Sequence, residues 1–198
     1  MPNIMIHEKV GYEISKKIEI NSNLYFLGLL APDTPNLYGF GKKEERWMAH
    51  IRRSDLHEWR LSLQNFYQEN KNNYPNDFLI GYFIHVLTDI VYDDFFYLKV
   101  REEIKRHNPT SNDLHNCMRE DMDLYYFKEY EEIKQKLKQE KTEISILNIT
   151  EDHLQKWKEK QINNPIQENK SLYITEKLIR ELIEVVYQEL LESSILNR

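Results

Sequence analysis

Residues 77–96 read DFLIGYFIHVLTDIVYDDFF, and no other stretch restricts the fold as strongly. It contains no proline, a single glycine (Gly81) near its start, and apolar residues on more than one face. As a helix it is largely buried, so the rest of the chain is organised around it. It also carries His85, Asp89 and Asp93 at steps of four. On a helix that spacing stacks an imidazole and two carboxylates in one row, with Cβ atoms about 5–6 Å apart. Such groups are costly inside a protein unless they find partners. A core histidine ion-paired to an aspartate meets that cost, and so does a bound metal ion. For His85 and Asp89 alone, spacing does not separate the two.

The chain has 198 residues, enough for one domain with a sizeable core, and no second unit is visible in 1–198. Its formal charge of −6 argues against a broad basic surface for duplex nucleic acid. A small phosphorylated substrate remains compatible, because bound cations would dominate the local field. One cysteine, Cys117, allows no internal disulfide. The N-terminal MPNIMIHEKVGYEISKKI lacks a signal-peptide pattern, and no apolar run reaches the roughly 18 residues of a membrane span. A cytoplasmic protein is expected. The sequence leaves its oligomeric state open.

In chain order, Ile6, Val10, Ile14 and Ile18 define an amphipathic helix over Ile4–Ile18, with His7 one position round from that stripe. A capping or surface role is the ordinary one for a histidine there. Leu24–Leu30 is a short apolar segment running into Ala31-Pro32-Asp33-Thr34-Pro35-Asn36, where two prolines predict a stiff, non-helical turn around Asp33. Residues 38–49 read as a loop leading to His50. Asp55 and Glu58 form a capping box for a helix to Asn70, with His57 in its exposed first turn. The 77–96 helix is expected to continue to about Lys105, and Asn108–Asn112 to break the chain. One long helix is expected over 113–140, carrying His115, Glu120 and Asp121. A short helix capped by Thr150 should end at Asn163-Asn164-Pro165, before a last helix over 171–196. No strand alternation persists, so the fold class is all-α.

Several of these pieces together resemble the zinc-dependent phospholipase C family, whose fold is shared with the P1-type nucleases. They are MPNIMIHEKVGYEI with His7, FLGLLAPDTPN with Asp33, MAHIRR with His50, GYFIHVLTDIVYDDFF with His85 and Asp89, MREDMDLYYF with Asp121, and ITEDHLQKWKEK. The resemblance runs almost end to end, and the second and fourth pieces are its most specific. It implies a multi-helix domain with metal ions between helices and His7, Asp33, His50, His85 and Asp89 as ligands. It further implies that Asp33 bridges two ions and acts as base. Imidazole and carboxylate suit zinc, and also iron, manganese or nickel. Two ions about 3.5–4 Å apart would polarise a phosphoryl oxygen and supply a hydroxide near neutral pH. Arg52 and Arg53 are candidates for the substrate phosphate.

The chain departs from the family in three places. No mature N-terminal tryptophan supplies an amino ligand, the histidine shortly after Asp89 is missing, and His115 with Glu120 has the wrong spacing for the later His-x-x-x-Glu pair. One or two ions are therefore expected. Asp93 and Asp121 are candidates for orienting the histidines or for a weak additional cation site. The functional expectation is a metal-dependent hydrolase of phosphoric mono- or diesters. The alternatives are an HD-type phosphohydrolase, for which no His-Asp dipeptide exists here, and a non-catalytic, metal-stabilised helical interaction module.

Overall fold

A computed structural model describes residues 2–107, 113–165, 171–193 and 195–196. The helices are α1 (Ile4–Lys17), α2 (Asn23–Leu30), α3 (Lys43–Ala49), α4 (Leu56–Asn70), α5 (Asn76–Val91), α6 (Tyr97–His107), α7 (Leu114–Asp123), α8 (Tyr130–Gln139), α9 (Glu151–Asn163) and α10 (Glu176–Glu192). Among the described residues there is no strand, only one isolated bridge between Ile146 and Ile149. The all-α class holds. No helix among them is long and apolar enough to cross a membrane.

α5 is the central element. Every residue from Phe78 to Val91 is buried, and α1, α2, α4 and α10 pack around it. The closest crossing is with α2, and two glycines permit it. A Cβ on Gly28 would lie 2.0 Å from the Phe78 carbonyl oxygen, and one on Gly81 would lie 2.1 Å from that of Tyr25. Backbone thus touches backbone, which brings the end of α2 alongside the middle of α5. α1 closes the other side through Ile6, Val10 and Ile14. Its start is held by Asn3, whose side chain accepts the Ile6 N–H at 3.1 Å.

Other boundaries follow local chemistry. Asp55 accepts the Glu58 N–H at 2.9 Å and starts α4 as the capping box requires. Thr150 caps α9, which ends at Asn163. Four expectations need correction. The Pro-flanked segment is a 3₁₀ turn over Ala31–Asn36, continuing directly from α2. Pro32 sits where the turn needs no N–H, and proline's fixed φ suits a helical turn. Residues 43–49 are helical rather than loop. The 113–140 helix is broken between α7 and α8, where Tyr125 and Phe127 turn into the core. The last helix starts at Glu176, capped by Thr175, rather than at Ser171. The chain break expected at Asn108–Asn112 lies outside the described residues.

Candidate metal centre

Side chains from four parts of the chain meet against the middle of α5. His7 comes from the second turn of α1 and Asp33 from the 3₁₀ turn. His50 comes from the end of α3, and His85 and Asp89 from α5 itself. His7, His85 and Asp89 have no exposure, His50 has 1% and Asp33 has 8%, so Asp33 marks the open edge. The surface role expected for His7 is overturned. The α1 stripe is wide enough to carry His7 and Glu8 inside with Ile6.

The separations fit a shared cation. His7 Nε2 lies 3.4 Å from Asp89 Oδ1. His50 Nε2 lies 3.3 Å from Asp89 Oδ2 and 3.6 Å from Asp33 Oδ1. His85 Nε2 lies 3.9 Å from Asp89 Oδ2 and 3.3 Å from His50 Nε2. Ligands at roughly 2.0–2.2 Å from a tetrahedral ion sit ~3.4 Å from one another. Two overlapping groups, His7/His85/Asp89 and Asp33/His50/His85, each have ligand atoms within 4.8 Å of one another.

The histidine tautomers sharpen this. His85 Nδ1 is 2.6 Å from the Leu29 carbonyl oxygen, and His50 Nδ1 is 2.8 Å from that of Arg46. A carbonyl only accepts, so each Nδ1 carries a proton and donates it. Each ring then turns its Nε2 inward, toward the other ring and toward Asp89. Burial, reinforced by His7, holds the His85 imidazole well below its ordinary pKa, so it is neutral. The His7 and His85 rings stack in parallel with centroids 3.7 Å apart. Among the described residues, both nitrogens of His7 and both oxygens of Asp89 have no hydrogen-bond partner. Buried acceptors facing acceptors are unfavourable without a proton or a cation between them. Burial alone would raise the Asp89 carboxyl. The His7 imidazole, 3.4 Å away, outweighs it and holds the group below the usual carboxylate range. Asp33 is raised, chiefly by burial, although His50 and His7 oppose this.

His50 is positioned by a feature that hides from sequence reading. α3 closes with paired bonds from Arg52 N to the Trp47 carbonyl at 2.8 Å and from Ile51 N to that of Met48 at 3.0 Å. Ile51 takes the left-handed position, φ 53°, that glycine usually fills. A β-branched residue there is strained, and its burial offsets part of the cost. Trp59 Nε1 donates to the His50 carbonyl at 2.9 Å, and the Tyr82 hydroxyl donates to that of Ala49.

The remaining candidates lie elsewhere. Beyond Val91 the backbone widens into a π turn over Tyr92–Phe96, which adds a residue to the ladder and turns Asp93 off the His85–Asp89 row. Asp93 instead pairs with Arg52 at 2.6 Å, so a candidate ligand and a candidate phosphate contact engage each other. Arg53 is exposed and donates to the Arg52 carbonyl at 3.3 Å. Asp121 accepts from Ser171 Oγ and from the N–H groups of Leu172, Tyr173 and Ile174, tying down the approach to α10. It belongs to neither candidate metal group among the described residues. Asp89 turns Oδ1 toward His7 and Oδ2 toward His50, while Asp33 Oδ1 faces His50. His57 and His115 are exposed.

Glu8 escaped the sequence reading. It is fully buried, neither oxygen has a hydrogen-bond partner among the described residues, and burial together with the negative charge of Asp33 pushes its pKa up to about 8. The only signal was its place beside His7 on α1. No protein-family model, curated protein or solved structure matches this chain.

Proposed function

We propose that the cluster is a metal centre for one or two divalent ions, zinc suiting the ligand types best, and that the chain hydrolyses phosphoric esters. The observation that carries the first half is the pair of inward-facing Nε2 atoms of His50 and His85. Backbone carbonyls hold them 3.3 Å apart and facing Asp89. Imidazole, carboxylate and this spacing fit zinc; iron, manganese and nickel accept the same donors. Bound metal would supply a Lewis acid and a water acidic enough to ionise near neutral pH.

The chain's own residues supply the rest. His7, His85 and Asp89 bind from the buried side and exclude water. Asp33, at the open edge and with its pKa raised by burial, is placed to take a proton from an attacking water. Asn36 Nδ2 donates to Asp33 Oδ1 at 3.1 Å and orients the carboxylate. The order of the motifs and their meeting at one site support the likeness to the zinc-dependent phospholipases C.

A metal-stabilised, non-catalytic module is the second reading, favoured by the near-complete burial of four of the five side chains. Anomalous scattering from crystals, with hydrolysis of p-nitrophenyl phosphate and bis-p-nitrophenyl phosphate before and after chelation, tests both. Ions on these five residues with chelator-sensitive turnover support the hydrolase. Ions without turnover of either ester favour the module. A crystal grown with zinc that binds none at these residues sinks both.

A further inference from the structure

A closed circuit of contacts surrounds the open edge of the cluster. Asp33 Oδ1 accepts from Asn36 Nδ2 at 3.1 Å, and Asn36 Oδ1 accepts the Gly41 N–H at 3.2 Å. The Gly41 carbonyl accepts Arg46 Nε at 3.0 Å, the Arg46 carbonyl accepts His50 Nδ1 at 2.8 Å, and His50 Nε2 returns to Asp33 Oδ1 at 3.6 Å. Gly41 is required for it, since a Cβ there would meet the Pro35 carbonyl oxygen at 2.3 Å. One residue, Arg46, thus positions a cluster histidine with its backbone while its side chain lies on the rim.

That side chain is prepared for an anion. The Phe40 ring lies 3.7 Å from the guanidinium carbon and covers one face. The Gly41 carbonyl takes Nε, and the terminal nitrogens make no hydrogen bond to a described residue. A guanidinium stacked on a ring and pinned at Nε keeps an edge of donors open in a fixed plane, the geometry that matches phosphate oxygens. Two other arginines of this region are already engaged, Arg52 with Asp93 and Arg60 with Glu189 and Asp94. Charge points the same way. A divalent cation offsets the carboxylates of Asp33 and Asp89, and Arg46 then leaves the rim positive.

We propose that Arg46 is the anion-binding residue of this site, its guanidinium taking non-bridging oxygens of a phosphate group presented to the cluster. The inference rests on the cluster being a metal centre for phosphoric esters. Arg46 takes the role expected for Arg52 and Arg53.

The test titrates zinc-loaded full-length protein with inorganic phosphate by calorimetry, with zinc content measured on the same samples. Arg46→Gln is expected to weaken phosphate binding about tenfold or more at unchanged zinc content. Arg53→Gln should bind phosphate as the parent does. Phe40→Ala, at a residue 84% exposed and so no threat to folding, should weaken phosphate a few-fold by freeing the guanidinium. Phosphate affinity within twofold of the parent in both Arg46→Gln and Phe40→Ala, at equal zinc content, overturns the role of Arg46 and leaves the metal centre standing. Loss of zinc in Arg46→Gln also overturns it, because the side chain would then serve the ligands. A parent chain that takes up no zinc overturns the centre itself, and this inference with it.

Discussion

The two sides of the cluster are built from different material. The closed side, His7, His85 and Asp89, stands on the regular backbones of α1 and α5 and has no exposure. The open side, Asp33 and His50, stands on a 3₁₀ turn and a strained helix end, joined through Asn36, Gly41 and Arg46. The first arrangement suits holding a cation, since its groups have few other partners and no route to water. The second suits chemistry, because its carboxylate reaches solvent and its neighbours are fixed by hydrogen bonds. The contrast implies that damage to the closed side is read in metal content and stability, and damage to the open side in turnover.

The largest expected effect tests the closed side. His85→Ala should weaken zinc binding by more than about a hundredfold, since loss of a group merely orienting a ligand already costs about 10–100-fold. It should also abolish the rise in Tm that zinc gives the parent. Unchanged zinc stoichiometry by mass spectrometry would remove His85 from the centre. Next comes the open side. Asp33→Asn should lower the hydrolysis rate by about a hundredfold or more while most of the zinc is retained. If Asp33→Asn instead loses zinc as completely as His85→Ala, the two sides do not differ in the way described.

Glu8 gives a pH signature. Its folded pKa of about 8 lies above the ordinary 4.5, so the folded chain holds a proton that the unfolded chain releases. The stability of the metal-free protein should therefore fall as pH rises from about 4.5 to about 8, by a few kcal/mol. Urea unfolding of Glu8→Gln should lack that component, so the variant should gain on the parent across the same window. A constant difference between pH 5 and 8 would contradict the buried, protonated state. The smallest effects concern the two aspartates outside the cluster. Asp121→Ala, leaving Ser171 Oγ and the Leu172 and Tyr173 N–H groups without this acceptor, should cost about 2 kcal/mol. Asp93→Asn, breaking a half-exposed pair, should cost under about 1 kcal/mol. Neither should change zinc content, and loss of an equivalent in either variant would return that residue to the site.

Much of this was legible in the chain itself. The apolar run of α5 announced a buried central helix, and the step of four from His85 to Asp89 placed both on one face, because helical periodicity is a local property of the backbone. Asp55 and Thr150 marked helix starts for the same reason: a cap needs only its own next three residues. The departures come from backbone events that carry no residue signal and from packing against distant partners. Asp93 left the row because the ladder widens at Tyr92, a backbone event with no local residue signal. The 113–140 helix breaks because Tyr125 and Phe127 are worth more in the core than in a continued helix. Residues 43–49 read as loop from Gly39, Gly41 and the charged run after them, and the end of their helix is closed by Ile51, not by glycine.

The sequence by itself determined the helical class, the central helix and the identity of the five converging side chains. Only the tertiary structure decided how the two aspartates face the histidines, that Glu8 is buried, and that Arg52 pairs with Asp93 while Arg46 stacks on Phe40. Those outcomes depend on which groups meet across helices. Residues far apart in the chain set the local dielectric and the hydrogen-bond partners, and these fix charge and orientation.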